Sequence, residues 1–346
     1  MNTQTNHDIL QKQLKGALEP IDPLLQDPAI SDIYIDGSTD IYVKLRNGRM
    51  ERKRKITLPS PQHLHTLASL LARRSNAELN LDSPFLDTVY DGQRFNIAIA
   101  PIYTPGTCIT IRKSPQKPLS AAHLMRAQTF DLPGLHLLKS AIRAKKRILV
   151  AGETGSGKTT LLSALCQFIP RQSGRVITIE DTAELNFDHP FRVPLLSRTT
   201  PNHRAQSFTQ ILINALRMDP DWLIIGEIRG PEALTLIYSF ICHPGLATIH
   251  ARGPNEALTR LKTLICAHSN LPNPLATENV HQAIDLIIHI QNHPDNHRRI
   301  TQITEIPPNP NQPPIPLYTY DPKTTTFKTL NNPSFETHPN PTEVTP

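Results

Sequence analysis

Gly152-Glu153-Thr154-Gly155-Ser156-Gly157-Lys158-Thr159 has the composition and spacing of a phosphate-binding loop. Its glycines let the backbone turn N–H groups inward, where they cradle anionic oxygens. The Lys158 ammonium would reach the β and γ phosphates, and the Thr159 hydroxyl would complete the coordination of Mg²⁺. Behind them, the first amides of a helix, Thr160 among them, would receive phosphate. Such a loop needs a strand to aim it and a helix to receive it. Both are in place, as a strand-like run over 147–150 and a helix-like run over 160–169. The chain is therefore expected to bind a nucleoside triphosphate.

Three more apolar runs end in residues able to act on that ligand. The first, Ile177-Thr178-Ile179, stops at Glu180-Asp181-Thr182-Ala183-Glu184. In a nucleotide-binding sheet the carboxyl ends of the strands face the ligand, so Glu180 and Asp181 could hold Mg²⁺ or orient an attacking water. Asp181-x-x-Glu184 equally suits a capping box for a following helix. The second run, Trp222-Leu223-Ile224-Ile225, ends in Gly226-Glu227-Ile228-Arg229, where Glu227 can position or polarise a hydrolytic water. The third, Leu246 to Ile249, ends at His250, which could hydrogen-bond the γ-phosphate or the acid.

These residues need a frame. The runs at 147–150, 176–179, 222–225 and 246–249 are almost wholly apolar, as parallel strands buried on both faces are. They alternate with helical segments, which predicts a doubly wound α/β domain. Before them, a helix over 8–19, strands at 33–37 and 41–45 with an Asn47-Gly48 turn, a helix over 62–74, and strands at 85–90, 94–100 and 107–112 predict a small antiparallel α+β domain. The chain divides into an N-terminal domain over 1–112, a Pro-containing linker over 113–119, an α/β domain over 120–306, and a Pro-rich tail over 307–346. That tail is expected to be extended or disordered.

Composition narrows the setting. The 346 residues suit two domains, and a net charge of +6 is too small to indicate nucleic acid as a partner. Cys108, Cys166, Cys242 and Cys266 show no C-x-x-C spacing, so neither a zinc site nor a disulfide framework is expected, and a reducing cytoplasm fits. No apolar run approaches the ~18 residues that span a bilayer, so any membrane association is expected to be peripheral.

The loop at 152–159, the acidic box at 177–184, Gly226-Glu227-Ile228-Arg229 followed by Pro231-Glu232-Ala233, and Thr248-Ile249-His250-Ala251 together resemble the ordered motifs of the secretion ATPases. That superfamily serves type II and type IV secretion, pilus assembly and pilus retraction. The resemblance covers about residues 30–288 and is greatest to the TrbB-like and VirB-type branch of conjugative transfer and type IV secretion. A pilus-retraction or tight-adherence pilus motor and a DNA-stimulated motor are the alternatives. The resemblance implies a RecA-like P-loop motor domain joined to the smaller N-terminal domain, a homo-hexameric ring, ATP and Mg²⁺, and inner-membrane components of a secretion or pilus apparatus as partners. It also implies N-terminal arginines on the phosphates, at Arg94 and Arg112 here, with Glu227 serving the water and His250 sensing the γ-phosphate. Two residues depart from the pattern. Gly226 stands where many members place aspartate, and Cys242 replaces the glycine of an Asn-x-Gly-His-Pro-Gly segment, which predicts a stiffer turn.

Overall fold

The computed structural model describes residues 2–46, 48–113, 118–197 and 207–335, and of residues 2–7 the backbone alone. The chain forms two compact units. The first contains α1 (Asn2–Leu18), α2 (Asp22–Gln26), β1 (Ile30–Asp36), β2 (Ile41–Leu45), β3 (Met50–Arg52), α3 (Pro61–Arg74), β4 (Phe85–Tyr90), β5 (Gln93–Ile99) and β6 (Thr107–Arg112). Its strands make one antiparallel sheet in the order β3-β2-β1-β6-β5-β4. Alternation sorts the side chains by face: Ile33, Ile35, Phe95, Ile97, Ile109 and Ile111 are buried with Leu14 of α1 and Leu64, Leu67 and Leu71 of α3. On the other face Arg112 pairs across the strands with Asp32 on one side and Arg94 on the other.

Two expectations in this unit meet the edge of the described residues. Asn47 of the predicted turn and residues 114–117 of the predicted linker lie outside them. Lys113, expected to open the linker, instead belongs to the first unit. Its N–H bonds the Ser31 carbonyl at 2.9 Å, and its buried ammonium donates to the carbonyls of Leu24 and Asp27.

The second unit contains α4 (Ala121–Arg126), α5 (Leu132–Arg143), β7 (Ile148–Ala151), α6 (Lys158–Cys166), β8 (Val176–Glu180), β9 (Arg192–Leu196), α7 (Phe208–Leu216) and β10 (Trp222–Ile228). There follow α8 (Glu232–Cys242), β11 (Gly245–Ile249), α9 (Pro254–His268), α10 (Asn273–Ala283), β12 (Leu286–Asn292), β13 (Arg298–Glu305), β14 (Ile315–Asp321) and β15 (Thr326–Thr329). A nine-stranded sheet runs β15-β14-β13-β12-β7-β11-β10-β8-β9. From β12 to β9 neighbouring strands are parallel, and β13, β14 and β15 extend the sheet antiparallel. Ile148, Val150, Val176, Trp222 and Ile224 face a core shared with α5 and α6. Leu149, Ile177, Leu223 and Ile225 face another, closed by helices α7 to α10. Burial on both faces explains why these strands read as almost wholly apolar runs.

The strand order also explains the gathering of the site. β7, β11, β10 and β8 are neighbours, so the segments that leave their carboxyl ends emerge at one edge of the sheet. Those segments carry the glycine-rich loop, His250, the Glu227 region and Glu180.

The Pro-rich tail is a correction. Residues 315–321 and 326–329 form β14 and β15, so the second unit continues past Glu305 to the last described residue, Phe335. Leu317 and Tyr318 are fully buried, the Tyr318 hydroxyl donates to Asp131 at 2.8 Å, and its ring stacks on Phe327. Prolines and threonines dilute the composition, but the few large side chains suffice for two short strands; residues 336–346 lie outside the described set. Leu317→Ala is expected to lower unfolding stability by about 2–5 kcal/mol in urea titrations. An unchanged midpoint would mean that β14 is not part of the folded unit.

Among the described residues no helix is long and apolar enough to cross a membrane.

Candidate active site

β7 delivers the chain into the loop, and α6 begins at Lys158. Gly155 and Gly157 have φ of +76° and +99°, the left-handed region that suits glycine, and Gly157 is the N-cap of α6. A side chain at Gly152 would collide with the Ile290 carbonyl and the Ser156 hydroxyl. Thr159 and Thr160 occupy the first turn of α6, where helix N–H groups lack intrahelical partners. The loop is also braced from outside the motif: Arg298 of β13 donates from Nε to the Gly155 carbonyl at 3.1 Å.

Lys158 is buried, and its ammonium donates to the carbonyls of Gly152 at 2.9 Å and Glu153 at 3.0 Å and to Nδ1 of His250 at 3.2 Å. An ammonium only donates, so Nδ1 accepts and the imidazole proton sits on Nε2. That nitrogen lies 2.6 Å from Oε1 of Glu227. Burial, reinforced by the Lys158 charge, holds the His250 pKa below its ordinary value although Glu227 opposes the shift. Burial likewise lowers that of Lys158. The other Glu227 oxygen, Oε2, accepts a short hydrogen bond from the Arg229 guanidinium. A continuous polar chain thus runs from Lys158 through His250 and Glu227 to Arg229.

Backbone irregularity aims Glu227. The β10–β11 register shifts between Ile225 and Ile228, and Thr248 donates to the Gly226 carbonyl at 2.6 Å within that interval. A bulge at a strand end re-aims the side chain beside it. Gly226 has a steric reason as well: a Cβ there would stand 3.1 Å from Cγ of Glu180 on the adjacent strand. The Glu180 side chain occupies the space beside Gly226.

Glu180 and Asp181 have different surroundings. Glu180 is buried, its Oε1 accepts the N–H groups of Glu184 and Leu185 at 2.9 and 2.8 Å, and its Oε2 accepts no hydrogen bond. Burial raises its pKa, although those two amides and Arg192 oppose the rise. Asp181 is half-exposed; Oδ1 accepts from the Ser197 hydroxyl and Oδ2 lies 3.7 Å from Arg229. The expected capping box does not form, because residues 181–190 are not helical and it is Glu180 that binds the amides of this segment. Cys242 brings no strained turn: it closes α8, is not among the described positive-φ residues, and is followed by extended His243.

The structure thus joins Lys158, Glu227 and His250 within the second unit. Arg94 and Arg112 stand side by side within the first, Arg112 donating to Asp32 at 3.2 Å and Arg94 lying 3.7 Å from Asp87. The sequence pattern gives Arg229 and Arg298 no role; Arg298 opens the second strand of the β12–β13 hairpin, far along the chain from the loop it braces, whereas Arg229 stands two residues after Glu227 in the same motif. An open cleft of about 600 Å³ lies beside the loop, between Glu153 and Thr154 on one side and His250, Arg252 and Arg260 on the other.

The family model described as type II/IV secretion system protein matches residues 15–304. The type IV secretion system protein PtlH of Bordetella pertussis is 33% identical over 306 residues, which cover 79% of this chain and 89% of that protein. The probable conjugal transfer protein TrbB of Sinorhizobium fredii is 26% identical over 314 residues, covering 88% and 92%. Among solved structures, the Legionella pneumophila ATPase DotB superposes with a TM-score of 0.56 at 24% identity, covering 84% of this chain and 78% of that one, a likeness of fold.

Proposed function

The chain belongs to the type II/IV secretion system protein family, and on that premise we propose that it is an ATP-hydrolysing motor for type IV secretion, conjugative transfer or the associated pilus assembly. The observation that carries the reading is the chain of contacts from Lys158 through His250 to Glu227, which ties the phosphate-binding cation to an acid able to handle water.

In this mechanism the loop amides and Lys158 receive the β and γ phosphates and neutralise their charge. The Thr159 hydroxyl, with phosphate oxygens and waters, suits Mg²⁺, which keeps several waters in such sites and would neutralise charge developing on the phosphates. Each of the two carboxylates read as metal partners has one oxygen that accepts hydrogen bonds and one that faces only a guanidinium, Arg192 at 3.9 Å from Oε2 of Glu180 and Arg229 at 3.7 Å from Oδ2 of Asp181; Glu180 is the buried one of the pair. Glu227 would accept a hydrogen bond from the attacking water and align it. His250, neutral and touching both Lys158 and Glu227, would register the arrival and loss of the γ-phosphate. By the resemblance, Arg94 and Arg112 would add planar charges on the phosphates. A homo-hexameric ring, cytoplasmic and bound peripherally to inner-membrane components of the apparatus, completes the reading.

The test is phosphate release from the purified chain with ATP and Mg²⁺, in the presence and absence of single- and double-stranded DNA. Turnover independent of DNA, from sixfold particles in electron micrographs, is the expected result. Stimulation by DNA that falls steeply with salt would move the protein to the nucleic-acid motors, and binding without phosphate release would make it a nucleotide-held scaffold.

A further inference from the structure

We propose that Arg229 is a positioning residue for Glu227 and that Asp181 acts on the reaction only through Arg229, as its anchor and not as a metal ligand. The inference rests on the reading that Glu227 aligns the hydrolytic water. The Glu227 carboxylate accepts its hydrogen bond at Oε2, from the Arg229 guanidinium, while Oε1 lies 2.6 Å from Nε2 of His250 without the alignment of a hydrogen bond, so Arg229 is the donor that sets the carboxylate plane. Arg229 is in turn held at both ends. Its N–H donates to the buried carboxylate of Glu232 at 2.6 Å, with the Gly230 N–H on the same oxygen at 2.8 Å. Its guanidinium meets Asp181 at 3.7 Å.

Asp181 is itself fixed. Its Oδ1 accepts from the Ser197 hydroxyl, and the Ser197 N–H donates to the Glu180 carbonyl at 2.9 Å, which pins the end of β9 to the end of β8. The arm therefore spans three strand ends, from β9 and β8 to Glu227 near the end of β10. The side chains of Arg229 and Asp181 are 57% and 49% exposed, and ion pairs so open to water add little to stability. What the contact does is orient. A carboxylate that must align water loses rate when it is displaced, even if the nucleotide still binds.

The test compares wild type, Asp181→Asn, Arg229→Ala, Arg229→Lys, the Asp181→Asn/Arg229→Ala double variant and Glu227→Gln. For each protein, phosphate release is measured against ATP and against Mg²⁺, and binding of a fluorescent ATP analogue is measured separately. Arg229→Ala is expected to lower kcat by about 10-fold to 100-fold with KM and analogue binding within about twofold of wild type, as for a misplaced catalytic group. Arg229→Lys, which keeps a donor, recovers part of the loss and serves as the probe should the alanine variant not fold. Asp181→Asn loses less, its half-saturating Mg²⁺ concentration stays unchanged, and the double variant is no slower than Arg229→Ala, because two residues on one arm are not additive. Losses that multiply in the double variant, a raised Mg²⁺ requirement in Asp181→Asn, or an unchanged kcat in Arg229→Ala would each overturn the arm. Full activity in Glu227→Gln would instead remove the reading on which the arm rests, so the two failures are distinct.

Discussion

A Glu227→Gln variant is expected to bind ATP with wild-type affinity and to release phosphate with kcat lower by about 10² to 10⁴, the range attributed to a positioned acid or base. The geometry explains why so small a change acts so strongly. Oε2 of Glu227 accepts from the guanidinium of Arg229, and Oε1 lies 2.6 Å from the Nε2–H of His250, a close approach of donor and acceptor without hydrogen-bond alignment. An amide offers one acceptor and one donor, so its NH₂ must oppose one of the two. The imidazole cannot relieve the conflict by moving its proton, because Nδ1 accepts from Lys158. The variant therefore loses both the negative charge and the fixed direction of the side chain, while the loop that holds the phosphates is untouched. Filter binding of labelled ATP together with single-turnover phosphate release separates the two effects. Lost binding with normal chemistry per bound nucleotide would place Glu227 in nucleotide binding instead.

How far such a site can be read before it is folded depends on where its information lies. The glycine-rich loop is legible because each glycine answers a local demand, a left-handed backbone at Gly155 and Gly157 and a close approach at Gly152. The four parallel strands are legible because burial on both faces leaves no charged residue before the strand ends, near which Glu180, Glu227 and His250 stand; the interior polar residues of β8 and β11 are threonines alone, Thr178 and Thr248. What the sequence could not show is pairing between such ends. That His250 joins Lys158 to Glu227, or that Glu180 fills the space beside Gly226, follows from the order of β7, β11, β10 and β8, which no local pattern records. The tail departs from its expected disorder for the opposite reason. Only Tyr318-Thr319-Tyr320-Asp321 alternates buried and less buried residues there, and four residues carry little weight in a Pro-rich stretch. Asp181-x-x-Glu184 satisfied a local rule that the fold did not use, since the carboxylate one residue earlier took the amides.

Replacing Lys158 by alanine is expected to abolish measurable turnover, with kcat/KM reduced by about 10³-fold or more, a loss at the upper end of that for removing one preorganised donor. The charge removed is the one proposed to meet the β and γ phosphates, and the loop at 152–159 holds no other cation. The carbonyls of Gly152 and Glu153 and Nδ1 of His250 lose their donor together, so the effect reaches Glu227 through the imidazole. This gives the variant a second signature, independent of turnover. The Lys158 charge is a cause, after burial, of the lowered His250 pKa, so its removal moves that pKa upward, toward the ordinary 6.5. In wild type the neutral ring persists below 6.5, and activity should hold through that pH and fall only where His250 takes up a proton and can no longer accept from Lys158. Imidazole resonances followed by NMR against pH in wild type and Lys158→Ala test the linkage. Full ATPase activity in the variant would overturn the assignment of Lys158, and an unmoved His250 titration would sever the contact between phosphate cation and catalytic acid on which the mechanism depends.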